Sequence, residues 1–462
     1  MRFSRRAAGV SCRAVSDPRA RPVTDPARVQ RYPFVPGGIC IPVARAEGAW
    51  LQLADGRRIL DAAGGAIVAN VGHGRREVAE AVARSLEATS YVVPPFATDE
   101  RIALAERLVG RWLPRGLTRV TFTSGGSESV DAALRLARQH HVAAGRPERW
   151  KMIGRDLSYH GATLGTLAVG GHEKRRAGLE PLLVQWPKAP ACYCLRCPLG
   201  TSRPSCDVAC VDAIETLIER EGPETVAAVV AEPVVGSTAG ALVPPDEYWP
   251  RLAEICRRHG VLLIADEVMT GFGRTGRNFA VDHWGVVPDI LVGGKGLGGG
   301  YAPIGGVYAT DAVLAPLAAR GEEFMFYTYS AHPASCAAAL AVLEIVDREG
   351  LVARAAEQGK RLLDRLRGAL ADHPLVAEVR GLGLLLAVEL VRDRATLEPF
   401  PLETKFANRV VAAGFGHGVF FYPGGAGSAR DVVCLGPPFT ISDEEIELIA
   451  TALPRAINAA AS

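Results

Sequence analysis

Through the middle of the chain, short apolar runs rich in β-branched residues alternate with segments of helix length, and no other feature restricts the fold as much. The runs are "RVTFTSGG", "VAAVVAEPV", "GVLLIADEV", "DILVGGK" and "IGGVYAT". Between the second and third lies the amphipathic "DEYWPRLAEICRRHG", closed by Gly260 in the C-cap position. Strands that are apolar throughout bury both faces, so the pattern predicts a mostly parallel sheet with helices on both sides. The flanks have a different texture. "GAWLQLADGRRILDAAGG" alternates apolar and polar residues around Asp55-Gly56, a hairpin signal. Helical spacing comes next in "REVAEAVARSL" and "DERIALAERLVGRWL". From Cys336 one long helical pattern leads into the strand-like "VRGLGLLLAVEL" and a last helix opened by "SDEE", where Ser442 and Glu445 have capping-box spacing. The expected organisation is α/β. Residues 1–31 are expected to be a disordered tail and 32–65 the N-terminal segment of a smaller domain. Residues 66–340 form a large domain with a cysteine-rich insertion at 190–210, and 341–462 a C-terminal small α+β domain.

At 462 residues the chain can bury more than one hydrophobic core. A formal net charge of +2 gives no electrostatic footprint for nucleic acid. No apolar run approaches the roughly 18 residues of a membrane span, and the arginine-rich Met1–Arg31 lacks the apolar centre of a signal peptide. Ten cysteines without a secretion signal point to a reducing compartment, so a cytoplasmic protein is expected. Only six of the 52 basic residues are lysine. A lysine in an unusual setting therefore stands out.

In sheets of this kind, ligands sit beyond the carboxyl ends of the strands. "RVTFT" is followed by Ser124-Gly125-Gly126-Ser127 and a helical pattern, which offers free backbone N–H groups, a helix dipole and a hydroxyl to a phosphate. A plain turn with an N-cap serine explains that stretch equally well on its own. "GVLLIA" is followed by Asp266, a carboxylate whose burial needs a cationic partner or a capping role. "DILVG" is followed by Lys295 in a run that is nearly half glycine. Burial there disfavours its ammonium form and makes it a better nucleophile, whereas in a flexible surface loop it would be an ordinary lysine. One ligand unites the three signals. Pyridoxal 5′-phosphate requires a phosphate cradle, an anion at its pyridine nitrogen and an amine for its aldehyde. Tyr159 in "LSYHGATLG" supplies an aromatic ring for stacking.

From about Tyr32 onwards the chain resembles the class III aminotransferases of the fold-type I pyridoxal-phosphate enzymes. The stretches that carry the resemblance are "GGSES", "YHG", "AEPV", "LLIADEVMTGFGRTG", "PDILVGGKGLGGGYAP" and "YTYSAHPASCAAALA". The resemblance implies that Lys295 bonds the cofactor as a Schiff base and later shuttles a proton, and that Asp266 pairs with the pyridinium nitrogen. It also implies that Gly126 and Ser127 bind the phosphate, that Tyr159 stacks on the ring with Val268 on the opposite face, and that Glu232 lies beside the cofactor near an arginine. Thr328 matches a threonine that reaches the phosphate of the neighbouring subunit, which implies a homodimer. His160 and His332 belong to the motifs and are read as structural.

The chain departs from the family pattern in three places. Ile67 stands where relatives acting on aromatic amines often carry tryptophan, which alters the substrate pocket. Cys194, Cys197, Cys206 and Cys210 have ligand-like spacing for structural zinc, beside the readings of a redox-sensitive disulfide or unpaired thiols in a surface insertion. Cys434 stands where α-amino-acid-type relatives carry a carboxylate-binding arginine, and Arg430 is expected on a flexible glycine-rich loop from which it can swing toward a keto acid. The function expected is transamination by a ping-pong mechanism, from an amine or ω-amino acid donor to an α-keto acid or aldehyde acceptor. Aminomutase, racemase, decarboxylase and phospholyase reactions are alternatives on the same scaffold. A non-catalytic scaffold would have lost Lys295 or Asp266, and both are present. Borohydride reduction of the yellow holoenzyme is expected to fix the cofactor on the peptide carrying Lys295. An adduct on any of the other five lysines would remove the assignment.

Overall fold

The computed structural model describes residues 33–36 and 38–462; the tail expected over 1–31 lies outside them. The Asp55-Gly56 hairpin is present. β1 (Val43–Glu47), β2 (Trp50–Leu53) and β3 (Arg58–Asp61) pair antiparallel in sequence.

The central sheet has seven strands: β4 (Leu117–Thr123), β5 (Lys151–Arg155), β6 (Lys188–Ala189), β7 (Val226–Ala231), β8 (Leu262–Asp266), β9 (Ile290–Gly293) and β10 (Gly305–Thr310). Their order across the sheet is β4-β10-β9-β8-β7-β5-β6. All pairs are parallel except those of β10, which runs antiparallel to both β4 and β9. The five apolar runs are β4, β7, β8, β9 and β10. Periodicity alone cannot give the reversed direction of β10; the short connection Gly294–Ile304 does, because a parallel return needs a crossover of a dozen or more residues. β5 and β6 escape notice in the sequence because "KMIGR" is interrupted by Lys151 and Gly154 and "KA" is only two residues long. The interior strands β7, β8 and β9 are buried at every residue, as expected of strands covered on both faces.

A second, antiparallel sheet comes next in the chain, in the order β11 (Val376–Leu382), β12 (Leu385–Leu390), β15 (Ala429–Leu435), β14 (Tyr422–Ala426). The single strand-like stretch is thus a hairpin turning at Gly383, whose φ of +57° suits glycine. β13 (Val419–Phe420) pairs parallel with β3 and joins the N-terminal hairpin to the C-terminal region. The long helical pattern after Pro333 is two helices, Pro333–Arg348 and Leu351–Ala369. They are separated at Gly350, which takes the left-handed conformation with φ +62°. The last helix, Asp443–Ala461, opens with the expected box: Glu445 N donates to Ser442 Oγ and Ser442 N to Glu445 Oε2. Among the described residues no helix is long and apolar enough to cross a membrane.

The β11–β12 turn is locked to the carboxyl-end side of the large sheet. Leu384 N donates to the Arg274 carbonyl at 3.0 Å, and Arg274 Nη1 donates to the Leu384 and Pro437 carbonyls at 3.1 and 2.7 Å. Burial lowers the Arg274 pKa to about 9, opposed by Asp61. Helix Leu351–Ala369 approaches the same turn at Gly359, where an added Cβ would collide with the carbonyl group of Gly383. Gly359→Ala is expected to cost about 1–3 kcal/mol by overpacking and to lower the thermal unfolding midpoint by a few degrees. An unchanged melting curve would show that the hairpin can move off the helix freely.

Candidate active site

Five strands deliver side chains to one cavity of about 190 Å³ at their carboxyl ends. β4 leads into Gly125, an N-cap without a side chain, and then into the helix Gly126–Ala143. No side chain caps that N-terminus. Ser127 Oγ accepts from Ala162 N at 3.0 Å, which leaves its own proton to donate. A Cβ on Gly126 would lie 2.6 Å from Val268 Cγ1, so only glycine lets the helix start pack against Val268. Both residues line the cavity.

β5 ends at Arg155 and leads to Tyr159, His160 and Gly161, all on the cavity wall. β7 leads to Glu232, β8 ends at Asp266 and β9 leads to Lys295. Asp266 is 4% exposed. Its Oδ2 lies 2.7 Å from His160 Nδ1, and its Oδ1 accepts from Val268 N at 3.1 Å. Both oxygens are therefore held, and the plane of the carboxylate is fixed. His160 is no bystander of the motif: it orients the aspartate. Its Nε2 is buried without a hydrogen-bond partner.

Glu232 Oε1 accepts long contacts of 3.4 Å from Tyr159 N and Gly236 N, while Oε2 is buried with no hydrogen-bond partner. Burial raises its pKa, opposed by His160 and Arg155. The arginine beside it is Arg155, which is fully buried. Its Nη2 donates to the Glu232 carbonyl at 2.6 Å and stands 3.9 Å from Oε2. Sequence reasoning did not find Arg155, because the signal for β5 is weak; an arginine directly before "DLSYHG" was the available clue. Lys295 is part-buried with φ +39°, a left-handed backbone that a side chain rarely adopts and that clusters at functional positions. Burial lowers its pKa, opposed by the charges of Asp266 and Glu232. Ser237 and Met269 complete the rim and were not foreseen.

The other candidates lie elsewhere. Ile67 is 2% exposed, with φ +60°. It sits in an apolar cluster with Val234 and Cys434, against which Met269 packs, rather than on the cavity wall. Thr328 is exposed and outside its own chain's cavity; its carbonyl accepts from Tyr91 Oη at 2.9 Å. Arg430 is not on a loose loop. "YPGGA" is strand β14, hairpin-paired to β15, and Arg430 is the second residue of β15. Gly425, with φ +107°, permits this close pairing, since a Cβ there would strike the Arg430 carbonyl. The side chain of Arg430 lines a neighbouring cavity that shares Ser237 with the first. Cys434 is buried and pushed up to about 12 by burial.

The structure gives the zinc expectation no support. Cys194, Cys197, Cys206 and Cys210 line one void of about 20 Å³, yet no three cysteine sulfurs come within 4.8 Å of one another. A tetrahedral zinc site with 2.3 Å bonds needs sulfurs only about 3.8 Å apart. These cysteines are free, and among the described residues the one convergent donor set is Glu215, Glu219 and His259.

The cavity fits pyridoxal phosphate by the chemistry of its donors. An uncapped helix N-terminus with a free hydroxyl faces it, one carboxylate is rigidly held, and one amine of lowered basicity stands opposite. Comparison with known proteins agrees. The family Aminotransferase class-III matches residues 36–457. The omega-aminotransferase of Caulobacter vibrioides is 36% identical over 446 residues, covering 94% of this chain and 96% of its own. A thermostable (S)-enantioselective omega-transaminase from Thermomicrobium roseum superposes with a TM-score of 0.89 at 38% identity, covering 94% of this chain and 98% of its own. An amine transaminase from an uncultivated Pseudomonas species, solved in its PLP-bound form, gives 0.87 at 36% identity over 92% and 98% of the two chains.

Asp266→Asn is expected to retain cofactor but to lower kcat at least ~100-fold, the scale of removing one preorganised electrostatic partner. His160→Ala is expected to act in the same direction more weakly and to shift the cofactor's absorbance. Near-normal kcat in the asparagine variant would show that another residue serves the ring nitrogen.

Proposed function

Because this chain belongs to the class III aminotransferase family, we propose that it moves an amino group from an amine or ω-amino acid to an α-keto acid or aldehyde, as a homodimer in the cytoplasm. Enzymes of the family are pyridoxal-phosphate-dependent aminotransferases, and the donor class is the part inferred from the site. One observation carries it: among the described residues no arginine lines the cofactor cavity. A site for α-amino acids meets the carboxylate next to the reacting carbon with a fixed arginine, whose fork makes two charge-assisted hydrogen bonds. Here the matching position is the buried thiol of Cys434. A donor whose amine is terminal or remote from any carboxylate suits this wall.

When bound, pyridoxal phosphate supplies an electron sink for the bond broken at the amine-bearing carbon. In this reading the N-terminus of helix Gly126–Ala143 and Ser127 bind its phosphate, and Tyr159 and Val268 bracket its ring. Asp266, oriented by His160, holds the proton at the ring nitrogen. Lys295 carries a proton to and from the substrate carbon. Its lowered pKa leaves more of the neutral amine at neutral pH, the form that can accept that proton. Glu232 and Arg155 form a buried pair beside it that can adjust to the charge of the incoming substrate. Thr328 is assigned to the partner's phosphate site. Its exposed apolar neighbours Met325, Phe326 and Tyr329, at 65%, 44% and 64%, support burial of this segment against a second copy.

Transamination requires an acceptor, whereas racemisation, decarboxylation, mutation and phospholysis do not. Holoenzyme given an ω-amine alone should consume one equivalent per active site and stop, then resume when pyruvate is added. Continued turnover without acceptor would replace transamination by one of those reactions.

A further inference from the structure

Beside the cofactor cavity lies a second one of about 300 Å³, and the two share Ser237. Its wall carries Lys174, Arg175, Lys405 and Arg430. None of these four cations has a carboxylate within ion-pair distance among the described residues, in a chain whose surface arginines are widely paired. Arg430 Nε is buried and lacks a hydrogen-bond partner. The single carboxylate on the wall, Asp431, accepts from Ala407 N at 3.0 Å; burial raises its pKa, opposed by that bond and by the charges of Lys174 and Arg430, so one carboxylate faces four cations. His172, also on the wall, is lowered to about 4 by burial and by Arg175 and Lys174, and so adds no charge at neutral pH. Two of the chain's six lysines stand here.

The second cavity is tied to the first. Arg175 Cζ lies 5.1 Å from the centroid of the Tyr159 ring, and Tyr159 lines the cofactor cavity. Gly425 N donates to the Ser237 carbonyl at 2.8 Å, which fixes the β14 end of the second cavity to the rim of the first. Lys174, Arg175 and Lys405 are exposed and Arg430 is half-buried, and cations gathered on one wall create a positive potential that attracts an anion. One carboxylate is met by one arginine fork. Four unpaired cations match the higher charge and three acceptor oxygens of a phosphoryl group.

We propose that this cavity is a subsite for a phosphoryl group at the far end of the substrate, so that the enzyme takes amines or carbonyl compounds bearing a phosphate or phosphonate several bonds from the reacting carbon. The proposal rests on the ω-amine reading above and names its substrate class. Arg430 then belongs to substrate recognition, but at the distal anion.

The test compares aminopropylphosphonate, aminobutyrate and butylamine as donors to the holoenzyme in single-turnover half-reactions, with the wild type and with Lys174→Ala/Lys405→Ala. The phosphonate should show the lowest KM, and the double variant should raise it about tenfold or more, on the scale of one to two charge-assisted hydrogen bonds, while butylamine is unaffected. Inorganic phosphate should compete with the phosphonate donor and leave butylamine alone. Equal KM values for aminobutyrate and the phosphonate would show that a carboxylate suffices and overturn the phosphoryl assignment. Inhibition of butylamine turnover by phosphate would mark the cavity as a site for a free anion and overturn the substrate-tail role. If no amine reacts, the ω-amine reading fails separately. Calorimetric titration of aminopropylphosphonate into the holoenzyme and into the double variant then decides the subsite alone: equal heats overturn it, and binding lost in the variant supports it.

Discussion

Asp266 lies at the end of an interior strand, 4% exposed, with one oxygen 2.7 Å from His160 Nδ1 and the other on Val268 N. A carboxylate so placed has little water to solvate it, and its charge is sustained by fixed protein groups and by whatever cation the cavity receives. The other charges are arranged around this one. Glu232 is disfavoured as an anion by its own burial and is partly offset by Arg155, and Lys295 is disfavoured as a cation while the two carboxylates pull the other way. The cavity thus holds groups of both signs, each short of full compensation. A bound cofactor and a changing substrate can shift such a balance at low cost, because few fixed partners must be displaced.

The scaffold makes this possible through close backbone approach. Glycine at 126 lets the helix start rest on Val268, and glycine at 161 avoids Ser127 Oγ, which a Cβ would approach to 2.6 Å. On the far side, Arg274 ties the loop after β8 to the β11–β12 turn through the Leu384 carbonyl and to the segment after β15 through the Pro437 carbonyl. The antiparallel sheet is therefore held against the carboxyl edge of the seven-stranded one. The hairpin β14–β15 brings Arg430 to the rim by the same route, through Gly425 and the carbonyl of Ser237.

The cysteine-rich insertion shows how little spacing says about convergence. Four thiols surround a small void, but convergence to a metal tetrahedron is a property of side-chain directions, and these sulfurs do not meet. The basic cavity is the opposite case. Lys174, Arg175, Lys405 and Arg430 come from three separated parts of the sequence and have no spacing that a linear reading could register. Their significance comes from their outnumbering the single carboxylate on that wall, Asp431, and from Ser237, which this cavity shares with the cofactor cavity.

The alternating architecture and the main chemical actors are legible in the order of amino acids. Apolar runs of five or six residues identify interior strands, and residues just past the carboxyl end of a strand lie in the crevice, so Lys295, Asp266 and Ser127 stand out by position, while Glu232 comes only from the family resemblance. Three-dimensional packing settled the rest. It reversed β10, because a short connection leaves no room for a crossover. It revealed β5 and β6, whose two-residue or interrupted runs carry too little apolar signal. It placed Arg155 beside Glu232, His160 on Asp266, and Arg430 on a strand in a second cavity, because each of these contacts joins residues far apart in the chain. Local periodicity reports which residues are buried. Which buried or charged groups face one another is fixed only when the strands take their order in the sheet.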